Sequence, residues 1–247
     1  MTESAEQPTP RDHRSAVSIL GEPTRRALYD YIVEVGDWVG RDEAGDALSL
    51  ERGTAAHHLE RLTDEGLLEV GFQRLSGRQG PGAGRPAKLY RRAHHDIDVS
   101  LPPRDYKLAG EILATAVDLS RSDSVDIGTA LDDAATAAGR QSAAAAEARL
   151  SSEREKSSTE AARQVVVDVL RSEGYEPQTR PDDRVILRNC PFHQLAQLHT
   201  DLICGMNLCF VSAAVDSIGN ADLDVHLAPH EGRCCVELRP SHQADPA

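Results

Sequence analysis

The sequence predicts an α+β fold with two functional parts, and three observations carry that prediction. Within the first 95 residues, three short helical segments lead into a strand, a glycine- and proline-rich loop and a second strand. An alanine-rich helical stretch occupies the middle of the chain. Towards the end, short antiparallel strands flank another helical stretch, and all five cysteines fall there, between 190 and 235. At 247 residues the chain is long enough for one large domain or two ordinary ones. Its 40% hydrophobic and 27% charged content is that of a globular protein, neither disordered nor fibrous.

Residues 1–14 read as a flexible tail and 15–95 as a first domain. Val17, Ile19, Leu20, Ala27, Leu28, Tyr31, Ile32 and Val35 share one broad apolar face at helical spacing. Pro23 and Gly21 place the start of the helix proper near Glu22, and Gly36 supplies its stop. A second short helix spans Arg41 to Leu48. Ser49 reads as the cap of a third, from about Leu50 to Glu65, closed by Gly66. LLEVGFQRL then reads as a strand, SGRQGPGAGRPA as a loop and KLYRR as the returning strand.

Pro102 and Pro103 mark a linker, and residues 96–158 read as linker and dimerisation helices, Tyr106–Leu119 and Ile127–Leu150, with a loop at 151–158. A third region, 159–240, opens with a helix from Thr159 to Ser172 that turns Val165, Val166, Val169 and Leu170 inward. Strands around Tyr175–Thr179 and Val185–Arg188, helical sequence from Pro191 to Ile218, and strands Leu223–Ala228 and Arg233–Leu238 complete it, with 241–247 as a tail. The apolar run Leu202–Val215 is shorter than a membrane span and contains Asn207 and Ser212, so no membrane partner is expected. The N-terminus has no apolar core of a secretory signal, which makes the expected location cytoplasmic.

A net charge of −13 argues against a chain that coats its whole surface with nucleic acid, but the charge is uneven. Residues 1–95 carry 13 basic and 15 acidic side chains; residues 96–247 carry 14 and 25. Between Gly71 and Arg92 there are six basic residues and no acid: Arg74, Arg78, Arg85, Lys88, Arg91 and Arg92. Three helices followed by a basic, glycine-tipped hairpin form the pattern of a winged helix-turn-helix. A recognition helix entering a groove about 12 Å wide needs small or polar leading side chains. Glu51, Arg52, Gly53, Thr54, Ala55, His57 and His58 meet that need, with Leu59, Leu62 and Leu67 as inward anchors. Adjacent histidines point about 100° apart on a helix, so at most one of His57 and His58 is a base or phosphate contact. The expected DNA-binding set is Arg52, Thr54, His57, His58, Arg74, Arg78, Arg85 and Lys88, the wing arginines reaching phosphates or the minor groove. HHLERLTDEGLLE together with GRPAKLY resembles bacterial regulators of the ArsR/DeoR-like winged-helix group.

An odd number of cysteines, absent from the first 189 residues, speaks for a thiolate site more than for structural disulfides. The strings NCPFHQLAQLH, LICGMNLCF and GRCCVEL, taken with the first domain, resemble the SufR-like regulators. That resemblance implies a homodimeric transcriptional repressor on a double-stranded DNA operator, with an iron–sulfur (4Fe-4S) cluster held by Cys190, Cys204 and Cys234. The residues themselves are compatible with it. Pro191 suits a first helical position and would make Cys190 a cap, its thiolate facing free backbone donors. Cys190 and Cys204 are 14 residues apart, roughly 21 Å along one straight helix. A shared site therefore requires a turn near His199-Thr200-Asp201.

Cys234 shares a strand face with Val236 and Leu238, whereas Cys235 points with Glu237. Cys209 reads as a small buried apolar residue. Cys235, His193 and His226 are possible additional ligands, as is an exchangeable water or small thiol. Zinc on Cys190, His193, Cys204 and Cys234 is an alternative. A metal-free redox switch through Cys234–Cys235 or Cys204–Cys209 is another. An enzyme using Cys190 as nucleophile with His193 or His199 as base lacks accompanying nucleotide, carboxylate-pair or oxyanion motifs, so a non-enzyme is expected.

Overall fold

In the computed structural model the described residues are 15, 17–73, 86–94, 97–150 and 158–241. The expected N-terminal tail, the hairpin tip with Arg74, Arg78 and Arg85, loop residues 151–157 and positions 242–247 lie outside them. The fold is α+β, with two small antiparallel sheets, and divides into compact units at 1–99 and 100–247.

In the first unit, helix α1 (Pro23–Val35) starts at Glu22, whose carboxylate accepts the N–H groups of Thr24 and Arg25 at 3.0 and 2.7 Å. It ends at Gly36, in the left-handed region at φ 70°. Strand β1 (Val39–Gly40) leads into α2 (Arg41–Ala47) and α3 (Arg52–Asp64). Ser49 does not cap α3: it sits in the preceding turn at φ 56°, and Glu51 occupies the cap position. Ala55, Leu59 and Leu62 of α3 are buried, the two leucines packing with Leu28, Ile32 and Tyr90.

Strands β2 (Leu68–Gln73) and β3 (Ala87–Arg92) pair from Leu68↔Arg92 to Gln73↔Ala87, and β1 adds to the other edge of β3. Two residues are too short for periodicity to announce, which is why β1 escaped the sequence reading. Gly71 is required where it stands. A Cβ there would lie 2.8 Å from the Trp38 ring, over which the Arg91 guanidinium stacks at 4.4 Å.

In the second unit α4 (Tyr106–Asp123) and α5 (Ile127–Leu150) contribute to the hydrophobic core. Ala109, Ile112 and Ala116 of α4, with Ala130, Leu131, Ala134 and Ala135 of α5, join one core with Phe192, Phe210 and Val236. Alanine-rich surfaces let helices approach closely, and the limit is reached at Gly139, where an added Cβ would lie 2.2 Å from the Phe210 carbonyl oxygen.

Helix α6 (Thr159–Ser172) is capped by Ser158 and buries Val165, Val166, Val169 and Leu170. Strands β4 (Pro177–Thr179) and β5 (Val185–Leu187), helices α7 (His193–Leu198) and α8 (Thr200–Ile218), and strands β6 (Leu223–Leu227) and β7 (Val236–Pro240) follow. The sheet order is β4-β5-β7-β6. By length and composition α8 could cross a membrane, longer than the run read from sequence. Its Ile203, Met206, Phe210, Val211 and Val215 are instead buried in this unit's core.

Candidate functional site

Four cysteines line one cavity of about 460 Å³ in the second unit, and they arrive from three separate stretches of chain. Cys190 lies just before α7, Cys204 in the first turns of α8, and Cys234 and Cys235 immediately before β7. The α7–α8 break makes this possible: His199 leaves helical geometry at φ −137°, ψ 59°. Its N–H closes α7 on the Leu195 carbonyl at 2.8 Å, while its own carbonyl accepts the Ile203 N–H that opens α8. Hydrogen bonding links the thiols in a chain, Cys190 with Cys234, Cys234 with Cys235 and Cys235 with Cys204.

The first helical residue of α7 is His193, so Cys190 is not a cap; Pro191 and Phe192 form a turn closed by His193 N–H on the Cys190 carbonyl at 3.2 Å. The donor expected from a helix start is still present, since the Phe192 N–H reaches the Cys190 sulfur. Cys234 and Cys235 both line the cavity. Strand alternation does not separate them because the chain bends at Cys235 and the ladder begins only at Val236.

The environment divides the thiols into two kinds. The hydrogen bond from Cys234, helped by the Phe192 N–H and the Arg104 charge, holds Cys190 below the ordinary thiol range despite burial. Hydrogen bonding with Cys234, Cys204 and Asn207 holds Cys235 down to about 6. Burial, with the neighbouring Cys235, pushes Cys204 up to about 12. Hydrogen bonding to Cys190 and Cys235, together with burial, keeps Cys234 protonated. As pH rises, negative charge therefore develops on Cys190 and Cys235 before Cys204 and Cys234.

Several residues that frame the cavity had no assigned role in the sequence reading. Asn207, fully buried on α8, donates from Nδ2 to the Cys234 sulfur at 3.2 Å and accepts the Tyr175 hydroxyl on Oδ1. Arg104 donates to the Cys190 carbonyl at 3.2 Å and to the Asn189 side chain. Asn189 in turn donates to the Pro103 and Gly174 carbonyls, both at 2.7 Å. Arg233, on the cavity wall, is pinned at 3.0 Å by the buried carboxylate of Glu237, which Arg239 also meets at 2.8 Å. Asn207 alone left a trace in the sequence, as a polar residue in an apolar run.

Of the other expected ligands, His193 lines the cavity, and His226 does not: it lies on β6, paired with Glu237 across the ladder. Cys209 also stands apart. It is half-buried, not fully buried as its small size suggested, and donates to Asp132 at 3.4 Å; burial pushes its thiol up to about 11. Among the described residues no three His, Cys, Asp or Glu side chains close on a single metal ion, so side-chain adjustment must precede such binding.

In the first unit α3 exposes Arg52, Thr54 and His57. His58 is mostly covered beside Glu22, and burial lowers its pKa, so His57 is the histidine available for contact. Arg52 pairs with Asp42 at 2.9 Å while remaining largely exposed. Lys88 is not a free hairpin cation: its ammonium bonds both Glu60 carboxylate oxygens, at 2.5 and 2.6 Å, and the Tyr90 hydroxyl bonds the same group. Comparison of the chain with family models, with curated proteins and with solved structures gave no match.

Proposed function

We propose that this protein is a DNA-binding transcriptional regulator whose second unit senses iron–sulfur status or redox stress. The observation that carries the reading is the convergence of Cys190, Cys204, Cys234 and Cys235 on one cavity. Thiolates are the donors that iron–sulfur clusters take, and four sulfurs are the usual complement. Cys190, Cys204 and Cys234 would hold a 4Fe-4S cluster, with Cys235 as the fourth sulfur in reach and His193 beside it. A bound cluster would supply a redox-active, oxidant-labile centre. The chain's own contribution is to lower the pKa of two of the thiols, donate N–H groups to cavity sulfurs and shape the cavity wall.

The first unit supports the nucleic-acid half of the reading. Three helices and an antiparallel hairpin are the parts a winged helix-turn-helix needs, and α3 exposes Arg52, Thr54 and His57, side chains suited to a major groove. Repression by a homodimer on a two-fold operator follows the SufR-like resemblance. A metal-free thiol switch, or a zinc site on the same sulfurs, is the second reading. The Cys235 thiolate, hydrogen-bonded to two neighbouring thiols, favours the switch in particular.

Anaerobic purification followed by iron and acid-labile sulfide assays separates these. The cluster reading expects iron and sulfide in matching amounts with broad visible absorption, both lost in Cys190→Ser, Cys204→Ser and Cys234→Ser. Colourless protein with all five thiols titratable overturns it.

A further inference from the structure

A buried asparagine needs a reason. Asn207 sits on the most apolar helix of the chain, α8, with no solvent exposure, where its neighbours are Ile203, Met206, Phe210 and Val211. An aliphatic residue would fill that space without any polar group to satisfy, so the amide is kept for what it bonds. Its inventory is filled from two directions. Oδ1 accepts the hydroxyl of Tyr175, itself 1% exposed and held protonated by burial. Nδ2 donates to the Cys234 sulfur at 3.2 Å, and Cys235 lies within reach of the same amide. With Oδ1 accepting the hydroxyl hydrogen of Tyr175, Nδ2 is the amide atom turned towards the Cys234 sulfur.

We propose that Asn207, oriented by Tyr175, is a positioning residue that fixes the Cys234 sulfur at the cavity wall and withdraws electron density from it, so raising the reduction potential of the cluster held there. The inference rests on the cluster reading above and deepens it. An N–H bond to a cluster-ligating sulfur stabilises the more electron-rich, reduced state more than the oxidised one, and hydrogen bonds to sulfur are among the determinants of cluster potential. Because the amide is locked from behind, its donor is preorganised, and the effect does not depend on water entering the cavity.

Two measurements test this, one of them without a cluster. In the metal-free, reduced, isotope-labelled protein, the Asn207 side-chain amide resonances should be protected from solvent exchange. They should shift on Cys234→Ser and lose protection in Tyr175→Phe. Resonances insensitive to both changes overturn the proposal, even if the protein carries no cluster and the functional reading itself has failed. In the anaerobic, cluster-loaded full chain, the double variant Asn207→Leu/Tyr175→Phe removes donor and orienter together and leaves no orphaned hydroxyl. The reduction equilibrium should move at least tenfold towards the oxidised form, about 59 mV for one electron. Asn207→Asp, which keeps the shape, should move it in the same direction, and Tyr175→Phe alone by less. Loaded variants that retain the parent potential overturn the proposal.

Discussion

At the scale of single residues the second unit is an arrangement of unequal thiols. Cys235 and Cys190 are acidified by donors, whereas Cys204 and Cys209 are pushed up to about 12 and about 11 chiefly by burial. In the metal-free reduced protein, alkylation at Cys235 should therefore persist down to about pH 6, while Cys209 reacts only under alkaline conditions. Peptide mapping of the labelled protein at a series of pH values reads both, and parallel profiles would contradict the assigned environments. A thiol whose pKa falls on folding adds stability that is complete above its unfolded value near 9 and fades as pH drops towards 6. The raised thiols act oppositely, costing stability as pH climbs past 9. The proposed cluster ligands divide just as sharply. Cys204→Ser should abolish iron and sulfide retention, whereas His226→Ala, outside the cavity lining, should leave both at parental levels.

Elements matter through how closely they approach. Gly139 is the point at which α5 meets α8, and Gly139→Ala should destabilise the second unit by about 1–3 kcal/mol through overpacking, measured by urea unfolding. An unchanged midpoint would mean that the helices separate at little cost. In the first unit the Lys88–Glu60–Tyr90 group ties hairpin to α3, so Lys88 has a structural task before any DNA is present. Among the described residues Arg52 is held by an exposed pair with Asp42, which is worth little and easily exchanged for a phosphate. Arg52→Ala should thus reduce the slope of log affinity against log salt for duplex DNA by about one unit, with Lys88→Met leaving the slope near the parent value. A loss of slope in Lys88→Met would show that the lysine leaves Glu60 for the nucleic acid.

At the scale of the whole molecule, the division at residue 99 places every cysteine with α4 and α5 and not with the hairpin. A fragment spanning 100–247 should fold cooperatively and take up iron and sulfide alone, as circular dichroism and metal analysis would register. Failure to unfold cooperatively would mean that the two units depend on each other. If the fragment loads, the full chain should then bind duplex DNA with an affinity that changes on cluster loss, measured at fixed salt. Equal affinity in both states would remove the sensing function while leaving the site itself intact.

Much of this was legible from one sequence. Helix positions followed from apolar spacing and from Gly36, and the requirement for a turn near His199 followed from arithmetic on helix rise between Cys190 and Cys204. The α+β class and the confinement of cysteines to one region were likewise readable, because both are local or countable properties. Tertiary structure alone decided that Cys235 joins the cavity while His226 does not, that α4 and α5 are core, and that Lys88 is paired. It also brought Tyr175 to Asn207 and Arg104 to Cys190, partners 32 and 86 residues apart. Periodicity fixes which face a side chain takes within its own element; what that face meets depends on how distant elements pack, and no local pattern encodes it.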